Sequence, residues 1–176
     1  YLAIKMIPRT DGARPKFEAA IDSALCVACG VCIGSCPDNA LSFGEPPLEP
    51  LWHNTLAQVA DNKNKKVVFT CERHALMNMR EINANTLIIP LTCIAMVNPD
   101  LAEQVLEAGT SEVQFIGCPP EDCANREGNL WMQERLSGER LPKLKPAFAL
   151  SVKTNWVAPT EFTRAATHTD ATAYHF

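Results

Sequence analysis

The sequence predicts a small α+β unit followed by an α/β domain with a small parallel sheet and an extended C-terminal tail. Three observations predict this. Four cysteines crowd residues 26–36 between short apolar stretches. A Pro-rich run, Glu45-Pro46-Pro47-Leu48-Glu49-Pro50, then breaks the chain. Beyond it, strand-like and helix-like segments alternate to residue 140, the pattern of a parallel sheet covered by helices. The expected units are 1–50, 51–140 and 141–176. With 176 residues, 47% hydrophobic and 20% charged, the chain can bury a core and is not a disordered polymer.

The elements follow in order. Residues 51–61 place Leu51, Leu56, Val59 and Ala60 on one side of a helix. Residues 65–71, Lys-Lys-Val-Val-Phe-Thr-Cys, read as a strand, and 72–79 have helix-forming composition. Residues 86–93 read as a second strand, in which Pro90 argues for an edge, a bulge or a late break. Asn98-Pro99-Asp100 is a helix start: Asn as cap, Pro at the first position, an acid in the first turn. That helix runs through Leu101, Val105 and Leu106 and stops at Gly109. Residues 112–118 form a third strand, and 125–136 a last helix with Leu130, Trp131 and Leu136 toward the core. Residues 141–176 mix Pro142, Pro146 and Pro159 with Thr, Ala and Lys and keep no period, which predicts an extended arm.

Charge and hydropathy exclude two classes. Lys plus Arg is 16 and Asp plus Glu is 20, a net charge of −4, where a nucleic-acid binder is usually basic. The longest nearly apolar stretch, 87–97, is interrupted by Pro90 and Thr92 and falls short of the roughly 20 residues of a membrane span. No charged-then-apolar signal segment opens the sequence. Any membrane association is expected through a partner or a further segment.

Cysteine carries the chemistry. Cys26-x-x-Cys29-x-x-Cys32-x-x-x-Cys36-Pro37 matches the bacterial ferredoxin run for a [4Fe–4S] cluster, in which three thiolates hold one cluster and the fourth serves another. Two intervening residues let the chain curl around a cubane so that successive thiolates reach different irons. Ala28, Gly30 and Gly34 are small, which lets backbone amides approach the sulfurs. Zinc more often uses separated pairs. The first unit is therefore expected to be a ferredoxin-like half-domain. Ala3-Ile4-Lys5-Met6 repeats the pattern of Ala40-Leu41-Ser42-Phe43, the short strand that follows each Cys-Pro in two-cluster ferredoxins. The repeat predicts a piece of a longer polypeptide, with one [4Fe–4S] cluster here, or two if an upstream half exists. In the two-cluster case Cys36 serves the upstream cluster. Otherwise the four cysteines bind one.

A second set is spread through the α/β domain. Cys71, Cys93 and Cys118 each fall at the carboxyl end of an expected strand, and Cys123 follows in the loop before the last helix. In an open parallel sheet those ends lie side by side under the ligand-binding crevice. A single cysteine there reads as a small buried hydrophobe; three in register plus a fourth read as a metal site. On spacing alone a [2Fe–2S] cluster, a [4Fe–4S] cluster and zinc remain open.

Residues 65–140 resemble the iron–sulfur (delta) subunit of methyl-viologen-reducing hydrogenase, which also serves heterodisulfide reductase. The likeness rests on Val68-Phe69-Thr70-Cys71, on Leu91-Thr92-Cys93 with Val97-x-Pro99-Asp100, and on Gly117-Cys118-Pro119-Pro120-Glu121-Asp122-Cys123 followed by Glu127-Gly128-Asn129. It implies an α/β domain holding a [2Fe–2S] cluster through Cys71, Cys93, Cys118 and Cys123, passing electrons between a redox partner and a flavin-containing reductase. The sequence departs from that pattern at Pro119 and at Ala124-Asn125, where the family has histidines, and at His74, near which the family has a further cysteine. A ferredoxin unit before such a domain is also similar to a composite bacterial protein in which both modules follow a membrane cytochrome b-like part. Ile4-x-Met6-x-Pro8-Arg9-x-Asp11-Gly12 and Leu25-Cys26-x-x-Cys29-Gly30 support this. It implies a quinone-linked complex at the cytoplasmic face of a membrane.

Of the other residues, His53, His74, His168 and His175 have no ligand spacing and read as surface or core histidines; His74 alone is close to a ligand. Trp52, Trp131 and Trp156 read as packing anchors. Arg80, Arg126 and Arg135 read as solvated helix residues. No Ser-His-Asp set, phosphate loop or dinucleotide fingerprint is present in the sequence. The expected function is single-electron relay between redox subunits with no substrate site of its own. Two alternatives stand beside a quinone-linked complex: a soluble hydrogenase- or heterodisulfide-reductase-type flavoprotein complex, and a zinc-stabilised interaction module.

Overall fold

The computed structural model describes residues 2–38, 41, 51–63, 65–78, 82 and 84–167, without the side chains of 77 and 78. Its first unit is a hairpin of β1 (Ile4–Pro8) and β2 (Phe17–Ile21), then the cysteine run and a short helix, α1 (Val31–Ser35). The strands are antiparallel, Ile4 opposite Ile21 and Pro8 opposite Phe17. Both are mostly exposed. Of the second copy of the repeat, residues 40, 42 and 43 lie outside the described residues, as do 45–50.

The α/β domain follows as α2 (Leu51–Asp61), β3 (Lys66–Cys71), α3 (Glu72–Asn78), β4 (Thr86–Leu91), α4 (Pro99–Glu107), β5 (Glu112–Gly117), α5 (Gly128–Ser137), β6 (Val152–Trp156) and α6 (Phe162–Thr167). The four strands lie in the order β4-β3-β5-β6, all parallel. β3 comes first in sequence but sits inside the sheet. The chain leaves it on one side to form β4 and returns on the other to form β5. That reversal makes the carboxyl ends of β3 and β5 the switch point, where crossovers diverge and open a crevice.

Burial of both sheet faces explains why the strands are nearly continuous apolar runs. Val67, Phe69, Ile89, Leu91, Val113 and Phe115 face one core, closed by Val59 of α2, Leu101 and Val105 of α4, and Met132 of α5. Val68 and Ile116 face the other core, with Val157, Phe162, Ala165 and Ala166. Phe69 and Phe115 are register partners and stack with ring centroids 5.3 Å apart. At the start of α4 the Asn98 side chain accepts from the Asp100 amide at 3.1 Å, as its sequence predicts. β4 is an edge strand, so Pro90 breaks no inner ladder.

The tail needs a correction. Residues 141–176 are expected as an extended arm, but 152–156 form β6 and pair with β5, Val113 opposite Val152 and Gly117 opposite Trp156. α6 then buries Phe162, Ala165 and Ala166. Gln114 of β5 donates through its amide to Asn155 Oδ1 at 2.5 Å and to the Ala165 carbonyl at 2.9 Å, tying both new elements to the sheet. Upstream, Lys145 binds the buried Glu103 through its backbone amide and its ammonium. The strand was short enough to hide among prolines. Its physical cause is the β5 edge, whose unpaired amides need a partner.

α1 of the first unit sits against the 3-10 turn Ile94–Met96, which follows Cys93. A Cβ on Gly34 would overlap the Ala95 carbonyl and the Met96 main chain. Alanine is favoured over glycine within a helix by about 1 kcal/mol, yet Gly34→Ala is expected to destabilise the chain by about 1–3 kcal/mol through overpacking against backbone. Thermal melts check this, and an unchanged or raised melting temperature counts against the packing described.

Candidate metal centres

In the first unit the chain curls as the cysteine spacing demands. Ala28 and Gly30 both have positive φ, 53° and 73°, which reverses the backbone between successive cysteines. Cys26, Cys29 and Cys32 line a cavity of about 330 Å³ with Ser35, Trp131 and the segment 2–4. Burial pushes the Cys32 thiol up, and the charges of Cys29 and Cys26 add to the rise. Cys36 is not among the lining residues. It ends α1, and its carbonyl accepts from Asn98 Nδ2 at 3.0 Å. The structure thus brings three of the four together around one space. Gly30 is small for a reason beyond amide access: a Cβ there would lie 2.8 Å from Met96 Sδ.

The second set converges from separate segments. Cys71 is the last residue of β3, Cys93 lies two residues past β4, and Cys118 immediately follows β5. Cys71, Cys93 and Cys118 are buried and Cys123 is half-buried. No cysteine is in a disulfide. The thiols form a contact chain, Cys71 to Cys118 to Cys123 to Cys93. Cys123 is held down, to about 2, by accepting from the Cys118 and Cys93 thiols. Cys93 and Cys118 are pushed up, first by that same donation to Cys123 and then by further contacts and burial. Four sulfurs in contact and largely out of water cannot all be anions without a cation among them.

The loop 118–127 is built to hold this geometry. Asn129 donates to the Cys118 carbonyl at 3.0 Å and to the Pro119 carbonyl at 2.7 Å. The Arg126 amide donates to the Cys123 carbonyl at 3.0 Å, and Glu121 and Arg126 both adopt positive φ, 65° and 63°. Arg73 donates toward Cys118 Sγ at 3.9 Å and to the Asp122 carbonyl at 3.4 Å. At the start of α5 a Cβ on Gly128 would stand 2.5 Å from Cys93 Sγ and 3.6 Å from Cys123 Sγ. Gly128 is therefore a cradle kept open for sulfur. The all-thiol donor set and this cradle fit an iron–sulfur cluster.

A profile of the methyl-viologen-reducing hydrogenase delta subunit matches residues 66–173, more than half of the chain. The chain belongs to the methyl-viologen-reducing hydrogenase delta subunit family. A 4Fe-4S binding domain profile matches residues 19–42 of this delta-subunit-type chain. Together the matches assign it an iron–sulfur electron-transfer role in a hydrogenase- or reductase-type complex, with other redox subunits as partners and a [4Fe–4S] cluster in the first unit. No curated protein matches the chain. Among the described residues no helix is long and apolar enough to cross a membrane.

Of two site-related residues in this family member, one departs from its sequence reading. Arg135 is not solvated. It is fully buried on α5, donating to the Ala95 carbonyl at 2.8 Å and to Ser35 Oγ at 2.5 Å. Its pKa falls to about 10, through burial first and the charge of Arg140 second, with the charges of Cys93 and Glu134 opposing the fall. This cation lies between the cysteine groups and joins α1 to the segment after Cys93. The other, His74, is a fully buried core histidine. Its pKa is lowered by burial. Neither residue shows a sequence signal, because a lone Arg or His on a helix looks the same whether it points in or out. Arg80, His168 and His175 lie outside the described residues.

Arg135→Met should cost about 2–4 kcal/mol, since it leaves the buried Ala95 carbonyl without its charged donor and breaks the tie to Ser35 on α1. Arg135→Lys should recover less than half, because one ammonium on a shorter reach cannot serve both. Urea denaturation measures this; full recovery by lysine would remove the two-point role of the guanidinium.

Proposed function

We propose that this chain relays single electrons between redox subunits through two iron–sulfur centres. Cys26, Cys29 and Cys32 hold a [4Fe–4S] cluster in the unit 1–50. Cys71, Cys93, Cys118 and Cys123 hold a [2Fe–2S] cluster in the unit that starts at 51 and takes in β6 and α6. The observation that supports this most directly is the meeting of four thiols from three segments in the switch-point crevice, beside a glycine whose Cβ would strike a sulfur. An iron–sulfur cluster supplies one-electron redox chemistry at a potential set by charge, sulfur hydrogen bonds and exposure. This chain's residues would set those terms. Arg73 reaches Cys118 Sγ, Arg135 places a buried positive charge near Cys93, and the Cys71, Cys93 and Cys118 sulfurs are kept out of water. Cys29 and Trp131 pack on the small cluster of Val31, Cys93 and Ala95, so the two cysteine groups share one dry contact layer. Electron tunnelling falls steeply with distance, and such contact suits transfer between them.

Cys36 is the fourth thiolate of the first motif. In a two-cluster arrangement it serves a second [4Fe–4S] cluster, and otherwise it completes the first. The exposed apolar side chains of the first unit, among them Leu2, Met6, Phe17 and Ile21, would dock the redox partner. The resemblance to composite bacterial proteins supports a quinone-linked partner with a cytochrome b-like membrane part, the chain lying on its cytoplasmic face. The family supports the alternative, a flavoprotein of the hydrogenase or heterodisulfide reductase type. An absorption spectrum of the co-purified complex separates the two by haem or flavin bands.

Anaerobic purification with iron, zinc and sulfide analysis and EPR is the deciding measurement. The expected result is a brown protein with two distinguishable reduced signals. Cys71→Ser or Cys118→Ser should remove or alter the second signal and leave the first, and Cys29→Ser the reverse. A colourless protein containing zinc and no labile sulfide would sink the relay and support the zinc-stabilised interaction module, since tetrahedral zinc accepts the same thiolates.

A further inference from the structure

His74 sits in the first turn of α3, three residues after Cys71, with no exposed surface. Its ring Nε2 lies 2.9 Å from the Val157 carbonyl oxygen. A carbonyl only accepts, so Nε2 carries the proton and Nδ1 of the neutral ring presents its lone pair. That Nδ1 is buried and, among the described residues, has no hydrogen-bond partner. The ring itself is fixed edge-on against Phe162, centroids 6.3 Å apart. The ligand atoms of Cys71, His74 and Cys118 all lie within 4.8 Å of one another. A histidine that binds metal through one nitrogen almost always donates the other N–H to a carboxylate, a backbone carbonyl or water, which fixes the tautomer and aims the lone pair. Val157, from the segment just after β6, supplies that carbonyl here. A histidine serving only as a donor to Val157 would have no need to keep a second, lone-pair nitrogen dry and unsatisfied on a ring this close to two thiols.

We infer that His74 is an iron ligand, through Nδ1, of the centre at the carboxyl ends of β3 and β5. The inference rests on the reading that this crevice holds an iron–sulfur cluster. Five donors then converge on a centre whose [2Fe–2S] form has four terminal positions, so His74 takes the place of one of the four cysteines assigned above, which stays beside the cluster as a hydrogen-bonding neighbour. Exchanging an anionic thiolate for a neutral imidazole makes the centre less negative and easier to reduce, the direction in which histidine ligation moves [2Fe–2S] potentials. His74 would thus set this centre's potential above that of an all-cysteine site in the same fold.

The test is pulsed EPR on the dithionite-reduced full chain, prepared with ¹⁴N- and with ¹⁵N-labelled histidine, beside His74→Cys and His74→Ala. Iron and sulfide counts establish which centres each protein holds. The expected result is a nitrogen coupling of directly bound imidazole on the second centre that changes with the label. It should vanish in His74→Cys while that variant keeps the cluster and its midpoint potential moves negative. A second centre with no histidine coupling, with only the weak coupling of a hydrogen bond, or with a coupling that survives in His74→Cys overturns the ligand assignment and leaves the two-centre relay standing. A protein holding only the first centre overturns both.

Discussion

Bringing sulfur atoms together out of water requires that their charge be answered on the spot, and most of what is unusual in this chain follows from that requirement. Thiolates repel one another, and burial removes the solvent that would screen them. The contact chain from Cys71 through Cys118 and Cys123 to Cys93 shows the strain in its splitting, with Cys123 pushed down while Cys118 and Cys93 are pushed up. Around them the chain places Arg73 and Arg135, amide-rich loop backbone held by Asn129, and a glycine where any larger residue would intrude.

The parallel sheet is what makes that delivery economical in sequence. A strand ending at the switch point needs to contribute only one residue to the crevice, and adjacent strands stand close enough for their end residues to touch. β6 and α6 complete the arrangement from the far end of the chain. They cover the second sheet face, and the segment after β6 brings the Val157 carbonyl to His74. A part of the chain that resembles a linker in composition therefore supports the site's geometry.

The first unit is joined to the second through a narrow, specific contact. α1 lies on the turn that follows Cys93, Gly34 allows backbone to meet backbone, and Arg135 reaches across to Ser35. That contact places Cys29 and Cys93 against one apolar cluster. The rest of the first unit is poorly buried, with both faces of its hairpin open. A two-stranded ribbon has too little surface to bury by itself, so its apolar side chains suit a protein surface supplied by another subunit.

Much was legible from residue order alone. The cysteine run declares its spacing within eleven residues, Asn98-Pro99-Asp100 starts a helix by local capping, and alternating strand and helix segments imply a parallel sheet; each of these signals is local, and local chemistry is written in neighbouring residues. The β6 strand was hidden because its only partner, β5, lies some forty residues upstream, and pairing across that distance leaves no period in the tail. The burial of Arg135 and the partner of His74 leave no sequence signal for the same reason. Their roles depend on Ala95, Ser35 and Val157, residues from other elements. The sequence by itself determined which residue types carry the chemistry and which elements they sit on. Tertiary structure alone decided which of them meet, because burial and the partner of a polar atom are set by the packing of distant segments.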